Sequence, residues 1–222
     1  MDIELHPIGF LHTCWPDRWG VPRQAGLVPE AWGELALVPE VPGESLRGLE
    51  AFSHVWLLSV LHAVSDVRWT VRPPRLGGGV RRGVFATRSP HRPSRLALSA
   101  VRLVEVDPAR RVLRVAGHDL VDGTPIVDIK PYLPWADALP DATAAWAEAR
   151  PAPVPVRFTD DSRAAIRDRP HLEALITSTF AADPRQESRD WSRIAVRIED
   201  LDVHAREEDG ALVVHTIVPW VG

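Results

Sequence analysis

The chain has 222 residues, 45% hydrophobic and 25% charged, a balance that fits an ordinary globular protein and excludes a disordered or collagen-like polymer. No apolar run approaches the roughly 18 to 20 residues that a membrane-spanning helix needs, and the acidic start MDIELHPIGF lacks the apolar core of a secretory leader. A formal net charge of −4 argues against a uniformly basic nucleic-acid binder, and a single cysteine, Cys14, excludes an internal disulfide framework and suits a reducing, cytoplasmic setting.

In chain order, β-branched or alternating runs predict strands over 3–11, 33–38, 52–61, 83–87, 96–106, 112–116 and 124–129. A short helical turn is expected over 45–51. Asp107-Pro108-Ala109-Arg110 reads as a hairpin turn with Pro at its second position. Two Pro/Gly-rich loops, 13–32 and 72–82, are long enough to suggest a functional use. Many short strands between Gly/Pro turns give a mainly β class, a barrel or sandwich, over residues 1–140. A second region, 141–222, reads as a small α+β domain. Pro151, Pro153 and Pro155 stiffen its entry. Helices are expected over 161–168 and 170–182, the second with Leu172, Leu175, Ile176 and Phe180 on one side. A hairpin of 191–205 and 211–219 then turns at Glu208-Asp209-Gly210.

Charge is segregated along the chain. Between Asp66 and Glu105 there is no acidic residue but there are nine arginines, so this span is +9 and the remainder −13. Such a span makes a local positive field in an acidic protein. A second anomaly is the stretch DIKPYLP: Lys130 and Tyr132 are the only lysine and the only tyrosine of the chain.

Several chemistries are set aside at this level. Gly77-Gly78-Gly79 lacks the Gly-Lys-Ser/Thr ending of a P-loop, no Gly-x-Ser-x-Gly elbow occurs, and His6 and His12 have no spaced partners of the kind a zinc site needs, so no metal is expected. What is left is four loop-flanked segments carrying polar residues at strand ends, the usual way a β scaffold presents a site. These are VPRQAGL (21–27), GLEAFSHVWLLSVLHA (48–63), RRGVFATRSPHRPS (81–94) and DGTPIVDIKPYLPWAD (122–137).

With these strings in view, the chain resembles the TsaA/TrmO-type (YaeB-like) family of S-adenosylmethionine-dependent tRNA methyltransferases. The match runs over about 6–140 and rests on P-R-Q-x-G-L, R-G-L-E-x-F-S-H, V-R-P-P-R-L-G-G, G-V-F-A-T-R-S-x-x-R-P and D-G-T-P-I-V-D-I-K-P-Y. The tripeptide Asp183-Pro184-Arg185 marks the longer branch of the family. The resemblance implies an antiparallel β-barrel that binds S-adenosylmethionine, and methylation of N6 of threonylcarbamoyl-adenosine beside the anticodon of tRNA. It further implies a homodimer. Carried over position by position, the cofactor contacts are Ala25, Gly26, Leu27, His62, Ala63, Arg88, Leu98, Asp122, Gly123, Thr124 and Pro125.

The chemistry of the residues is compatible. A sulfonium methyl donor is already activated, so alignment of the acceptor nitrogen is the main demand. The acylated N6 has a proton to lose, and His62, His91 or Asp128 could accept it; Lys130 and Tyr132 complete the catalytic candidates. Arg81, Arg82, Arg92 and Lys130 are the candidate contacts to carboxylate or RNA phosphate. The chain departs from the family pattern at Ser94-Arg95-Leu96-Ala97, at Ala63 and at Gln186-Glu187-Ser188. Two alternatives therefore stand beside the leading one: a paralogue acting on another RNA or a nucleoside-like molecule, and a non-catalytic barrel that binds nucleotide or RNA.

Overall fold

The computed structural model describes residues 4–73, 79–184 and 194–221. Arg75, Gly77, Gly78, Arg185, the Gln186-Glu187-Ser188 departure and the starts of the strands expected at 3 and 191 lie outside the described residues.

Six strands close into a barrel in the order β1-β2-β7-β6-β3-β8. They are β1 (Gly9–Thr13), β2 (Trp32–Leu37), β3 (His54–Val60), β6 (Leu96–Asp107), β7 (Val112–Ala116) and β8 (Thr124–Pro131). The period-two pattern is plain in β3, where Val55, Leu57 and Ser59 are buried and His54 is exposed. Buried Leu11, Leu35, Val101, Leu113 and Ile126 fill the interior with them. The turn between β6 and β7 is the one the sequence marks: Arg110 N donates to Asp107 Oδ1 (2.9 Å), and Arg111 takes the left-handed conformation (φ 59°). Gly43 is obligatory beside it, because a Cβ there would lie 1.9 Å from the Pro108 carbonyl oxygen. The helical turn expected at 45–51 is two short 3-10 turns, Gly43–Leu46 and Leu49–Ala51.

One expected strand is replaced. Residues 83–87 hold only the last residue of β5 (Arg82–Gly83), which pairs antiparallel with β4 (Thr70–Val71); Val84–Ala86 turn into a 3-10 helix. The side chains of the following loop explain this. Thr87 Oγ1 donates to the Val84 carbonyl (2.8 Å), and Arg92 Nη2 donates to the carbonyls of Val84 (3.3 Å) and Thr87 (3.0 Å). Local partners take the acceptors that a strand ladder would have used.

The chain divides into two compact units, each discontinuous in sequence. The first comprises 1–11, 34–115 and 123–150; the second comprises 12–33, 116–122 and 151–222. The second unit is built on a four-stranded sheet of order β10-β11-β12-β9, formed by β9 (Val156–Phe158), β10 (Ile194–Ile198), β11 (Leu201–Glu208) and β12 (Ala211–Pro219). After the single-turn α1 (Pro134–Asp137) of the first unit, the helices here are α2 (Asp160–Ala164), started by the Thr159 side chain, which accepts from Ser162 N, and α3 (Pro170–Ala181). The predicted apolar stripe of α3 is its buried face: Leu172, Leu175, Ile176 and Phe180 sit in one core with Val196, Ile198, Val203, Leu212 and Val214. Cys14, Trp15, Val28 and Ala31 complete that core, so much of the 13–32 loop is interior rather than site.

One expectation in this unit is corrected. The single strand expected over 191–205 is β10 and β11, because Glu199 adopts φ 55° and turns the chain without a glycine or asparagine. The Pro-stiffened entry continues into β9, which adds parallel to β12. Proline-spaced extended backbone is already close to strand geometry.

Candidate active site

The first unit gathers several candidates on the outer face of β6-β3-β8. In the register, Leu58 of β3 faces Leu98 on one side and Asp128 on the other; Trp56 faces Ala100 and Lys130. Strands lie about 4.8 Å apart, so Leu98 and Asp128 stand roughly 10 Å from each other across Leu58. A β-bulge makes this possible. Leu58 pairs with Asp128 but Ser59 pairs with Ile126, leaving Val127 as the extra residue. Without it, the alternation that buries Thr124 and Ile126 would also turn Asp128 and Lys130 inward. Lys130 Nζ then lies 3.4 Å from Asp128 Oδ2 on the exposed surface. Tyr132 packs on Trp56 (ring centroids 5.5 Å) and on His54 (6.4 Å), and its N–H donates to the His54 carbonyl (3.0 Å).

His62 and Ala63 follow the end of β3 in an exposed turn. Leu61 N donates to the Arg95 carbonyl (2.8 Å) and Arg95 Nη1 to the Val64 carbonyl (3.2 Å), so the turn is tied to the start of β6, two residue pairs from Leu98. Leu98 itself is an apolar side chain 53% exposed on a barrel strand. Arg88 is exposed in the loop before β6, whereas Arg92 is turned onto the carbonyls of Val84 and Thr87.

The three candidate bases differ in their surroundings. His91 Nδ1 lies 2.8 Å from Asp66 Oδ1, and the other oxygen of Asp66 accepts from Arg68 Nε at 2.7 Å. The Arg68 hydrogen bond, with further help from His91, holds the Asp66 carboxyl below its ordinary range. A carboxylate is acceptor-only, so Nδ1 is the donor, and whenever the ring is neutral Nε2 is its acceptor nitrogen. Asp66 was not legible as a partner in the sequence, since 25 residues separate it from His91. Asp128 instead pairs with Lys130 and accepts from Ile129 N (2.9 Å), and His62 is exposed in its turn.

In the second unit, Ala25, Gly26 and Leu27 form a turn held by Gly26 N to the Gly117 carbonyl (2.8 Å). Gly26 has φ 78°, and nothing lies within 4 Å of where its Cβ would be, so the backbone faces open space. Asp122 shapes its own turn: Oδ1 accepts from Thr13 N (2.8 Å), with His12 Nδ1 at 3.5 Å. In the first unit Gly123 shares that open character (φ 72°), while Thr124 is buried and Pro125 pairs with Phe10 in the barrel. Within the first unit, the open backbone at Gly123 and the exposed Leu98 side chain are surfaces that suit an adenosine-bearing molecule, which needs close backbone approach and apolar contact. Thr124 departs from that description, because its side chain belongs to the barrel interior. Among the described residues no group of three or more His, Cys, Asp or Glu is placed to hold a metal ion.

A family profile described as the tRNA-methyltransferase O N-terminal domain matches residues 10–138. The chain belongs to the tRNA-methyltransferase O family. A tRNA (adenine(37)-N6)-methyltransferase of Escherichia coli K12 is 42% identical over 98% of this chain and 98% of its own length. A putative S-adenosylmethionine-dependent methyltransferase, RcsF, of Pseudomonas aeruginosa is 43% identical over 92% of each chain. The crystal structure of TrmO from Pseudomonas aeruginosa superposes with a TM-score of 0.83 at 35% identity, covering 98% of this chain and 99% of that one. The mainly β class read from the strand pattern, and the antiparallel barrel that the resemblance implied, agree with the closed barrel and with the tRNA-methyltransferase O family.

Proposed function

We propose that the chain methylates N6 of threonylcarbamoyl-adenosine beside the anticodon of tRNA. The coarser part of this reading, an S-adenosylmethionine-dependent tRNA (adenine-N6)-methyltransferase, follows from membership of the family and from near-full-length similarity to the Escherichia coli enzyme. Bound S-adenosylmethionine supplies an activated methyl group on sulfonium. Its contacts are assigned to Ala25, Gly26, Leu27, His62, Ala63, Arg88, Leu98, Asp122, Gly123 and Pro125, with Thr124 shaping the strand beside them.

The His91–Asp66 pair carries the chemical side of the proposal. Asp66 fixes the imidazole with Nε2 as acceptor, and that nitrogen removes the N6 proton as the nitrogen is alkylated. Threonylcarbamoyl-adenosine also presents a carboxylate, and Lys130 offers a compact, exposed cation for it. The single observation in support is the row Asp128–Leu58–Leu98 beside Lys130–Trp56 on one face, which sets apolar surface next to a cation.

The test uses two otherwise identical tRNAs, one with threonylcarbamoyl-adenosine and one with plain adenosine at the same position. Mass spectrometry of the nucleosides is expected to find methyl transfer only to the first. Equal transfer to both would discard the threonylcarbamoyl substrate, and Lys130→Ala is expected to erase the preference. A homodimer and a cytoplasmic location are part of the same proposal; sedimentation velocity at micromolar concentration reads the first directly.

A further inference from the structure

Between β3 and β6, the described residues 66–73 and 79–88 carry an antiparallel strand pair, with Thr70 opposite Gly83 and Val71 opposite Arg82. Its sequence alternates cations with large apolar side chains: Val67-Arg68-Trp69, then Val80-Arg81-Arg82, then Phe85 and Arg88. The apolar members face solvent. Trp69 is 67% exposed and Phe85 74% exposed, with Val67 and Val80 also open. The backbones that carry the two rings are tied together, because Val84 N donates to the Trp69 carbonyl (3.0 Å) and Thr87 N to the Val84 carbonyl (3.1 Å). Among the described residues, no carboxylate lies within ion-pair reach of Arg72, Arg81 or Arg82.

We propose that this hairpin holds the single-stranded anticodon loop of tRNA, with Trp69 and Phe85 stacking on unpaired bases and the arginines meeting the phosphates. The inference rests on the tRNA-methyltransferase reading and adds the surface that recognises the substrate. Cations alone would suit any polyanion, and exposed rings alone would suit a protein partner. Their interleaving on one hairpin is what a single-stranded nucleic acid needs, since every base offers a π-face and every nucleotide a phosphate. Paired bases in a stem are already stacked and would gain nothing from the rings. A second copy of this chain fits less well: a two-fold contact through the hairpin would set arginine against arginine with no acid between residues 67 and 104 to relieve it.

Binding of a labelled anticodon stem-loop RNA and of a fully paired duplex of the same stem separates these cases. Trp69→Ala and Phe85→Ala are each expected to weaken stem-loop binding about tenfold and to leave duplex binding unchanged. Trp69→Phe, which keeps a stacking ring, is expected to restore stem-loop binding, and Arg81→Ala is expected to weaken both RNAs. Both ring positions are exposed, so the variants are expected to keep the wild-type circular dichroism. Unchanged stem-loop affinity in the two alanine variants overturns the proposal, and so does loss of an oligomer in sedimentation without loss of RNA binding. If those variants lose stem-loop binding in a chain that methylates no tRNA, the surface stands and the activity falls. Unchanged binding in a chain that does methylate tRNA gives the reverse.

Discussion

Buried with both ring nitrogens engaged, His118 can accept a proton only by breaking the contacts that hold it. Nε2 meets the Trp32 carbonyl at 2.9 Å and Nδ1 accepts from Leu120 N at 3.2 Å, which fixes one neutral tautomer; Trp15 packs edge-on at 5.0 Å. Burial pushes its pKa down from 6.5 to about 4. The unfolded chain therefore binds the proton first, and stability falls as pH drops from 6.5 towards 4, by about 3 kcal/mol over the interval. Thermal unfolding between pH 4 and 7 is expected to show this slope in the native chain and a flatter one in His118→Gln. At the same scale, the proposed mechanism has Asp66 act through His91. Asp66→Asn and His91→Gln are each expected to lower kcat by about 10² to 10⁴-fold with KM for tRNA little changed. The double variant is expected to lose no more than His91→Gln does, as befits groups working as one unit. Additive losses would mean that the pair is structural. Cys14 shows how far composition reaches: a lone thiol reads as incidental, and the fold buries it where desolvation raises its pKa well above the usual range.

Elements separate two kinds of arginine that look alike in sequence. Arg81 is exposed at the β5 end of the hairpin, while Arg92 is turned back onto the Val84 and Thr87 carbonyls. Arg81→Ala is expected to reduce the salt slope of RNA binding by about 0.7 to 0.9 per phosphate lost. Arg92→Ala is expected to leave that slope intact and cost about 1 to 3 kcal/mol of stability, because it strips donors from a turn that has no replacement. Denaturant titration and salt-dependent binding on the same two variants distinguish the roles. The second unit has its own fastening at the Glu199 turn. That carboxylate accepts from Trp32 Nε1 (2.7 Å) and pairs with Arg169 and with His171 (3.2 Å), while Glu199 N donates to the Cys14 carbonyl (2.7 Å). Glu199→Ala is expected to lower stability by about 2 kcal/mol and to loosen the 13–32 loop, read as faster amide exchange there. This loop was legible as a feature through its Pro/Gly content. Its split into a buried anchor and an exposed turn at Gly26 was not, because both halves carry small and apolar residues.

For the molecule as a whole, a net charge of −4 would suggest an indifferent polyanion binder, and the distribution of charge reverses that expectation. The +9 span places Arg68, Arg72, Arg81, Arg82 and Arg88 on one excursion from the barrel and Arg102 on β6 opposite His54. RNA affinity is expected to fall with salt, with a logarithmic slope of about −2 to −3 if Arg72, Arg81 and Arg82 each meet one phosphate. A slope near zero would mean that these arginines serve only solubility. The titration is best run beside duplex RNA, since the electrostatic part is shared and the stacking part is not.

By itself the sequence determined the strand-rich class, the barrel strands 96–106, 112–116 and 124–129 to within two residues, the apolar stripe of α3 and the family. Those are local or patterned properties: side-chain alternation, turn chemistry at Asp107, and long unusual strings. Tertiary structure decided what depends on partners distant in the chain. It joined Asp66 to His91, spent Arg92 on a turn, split 191–205 into two strands at a left-handed glutamate, and divided the molecule into units that a linear boundary does not follow. The bulge at Val127 is the sharpest case. DIKPY reads identically whether its even positions point in or out, and only pairing with β3, slipped by one residue, buries Ile126 while presenting Asp128 and Lys130 on the outer face.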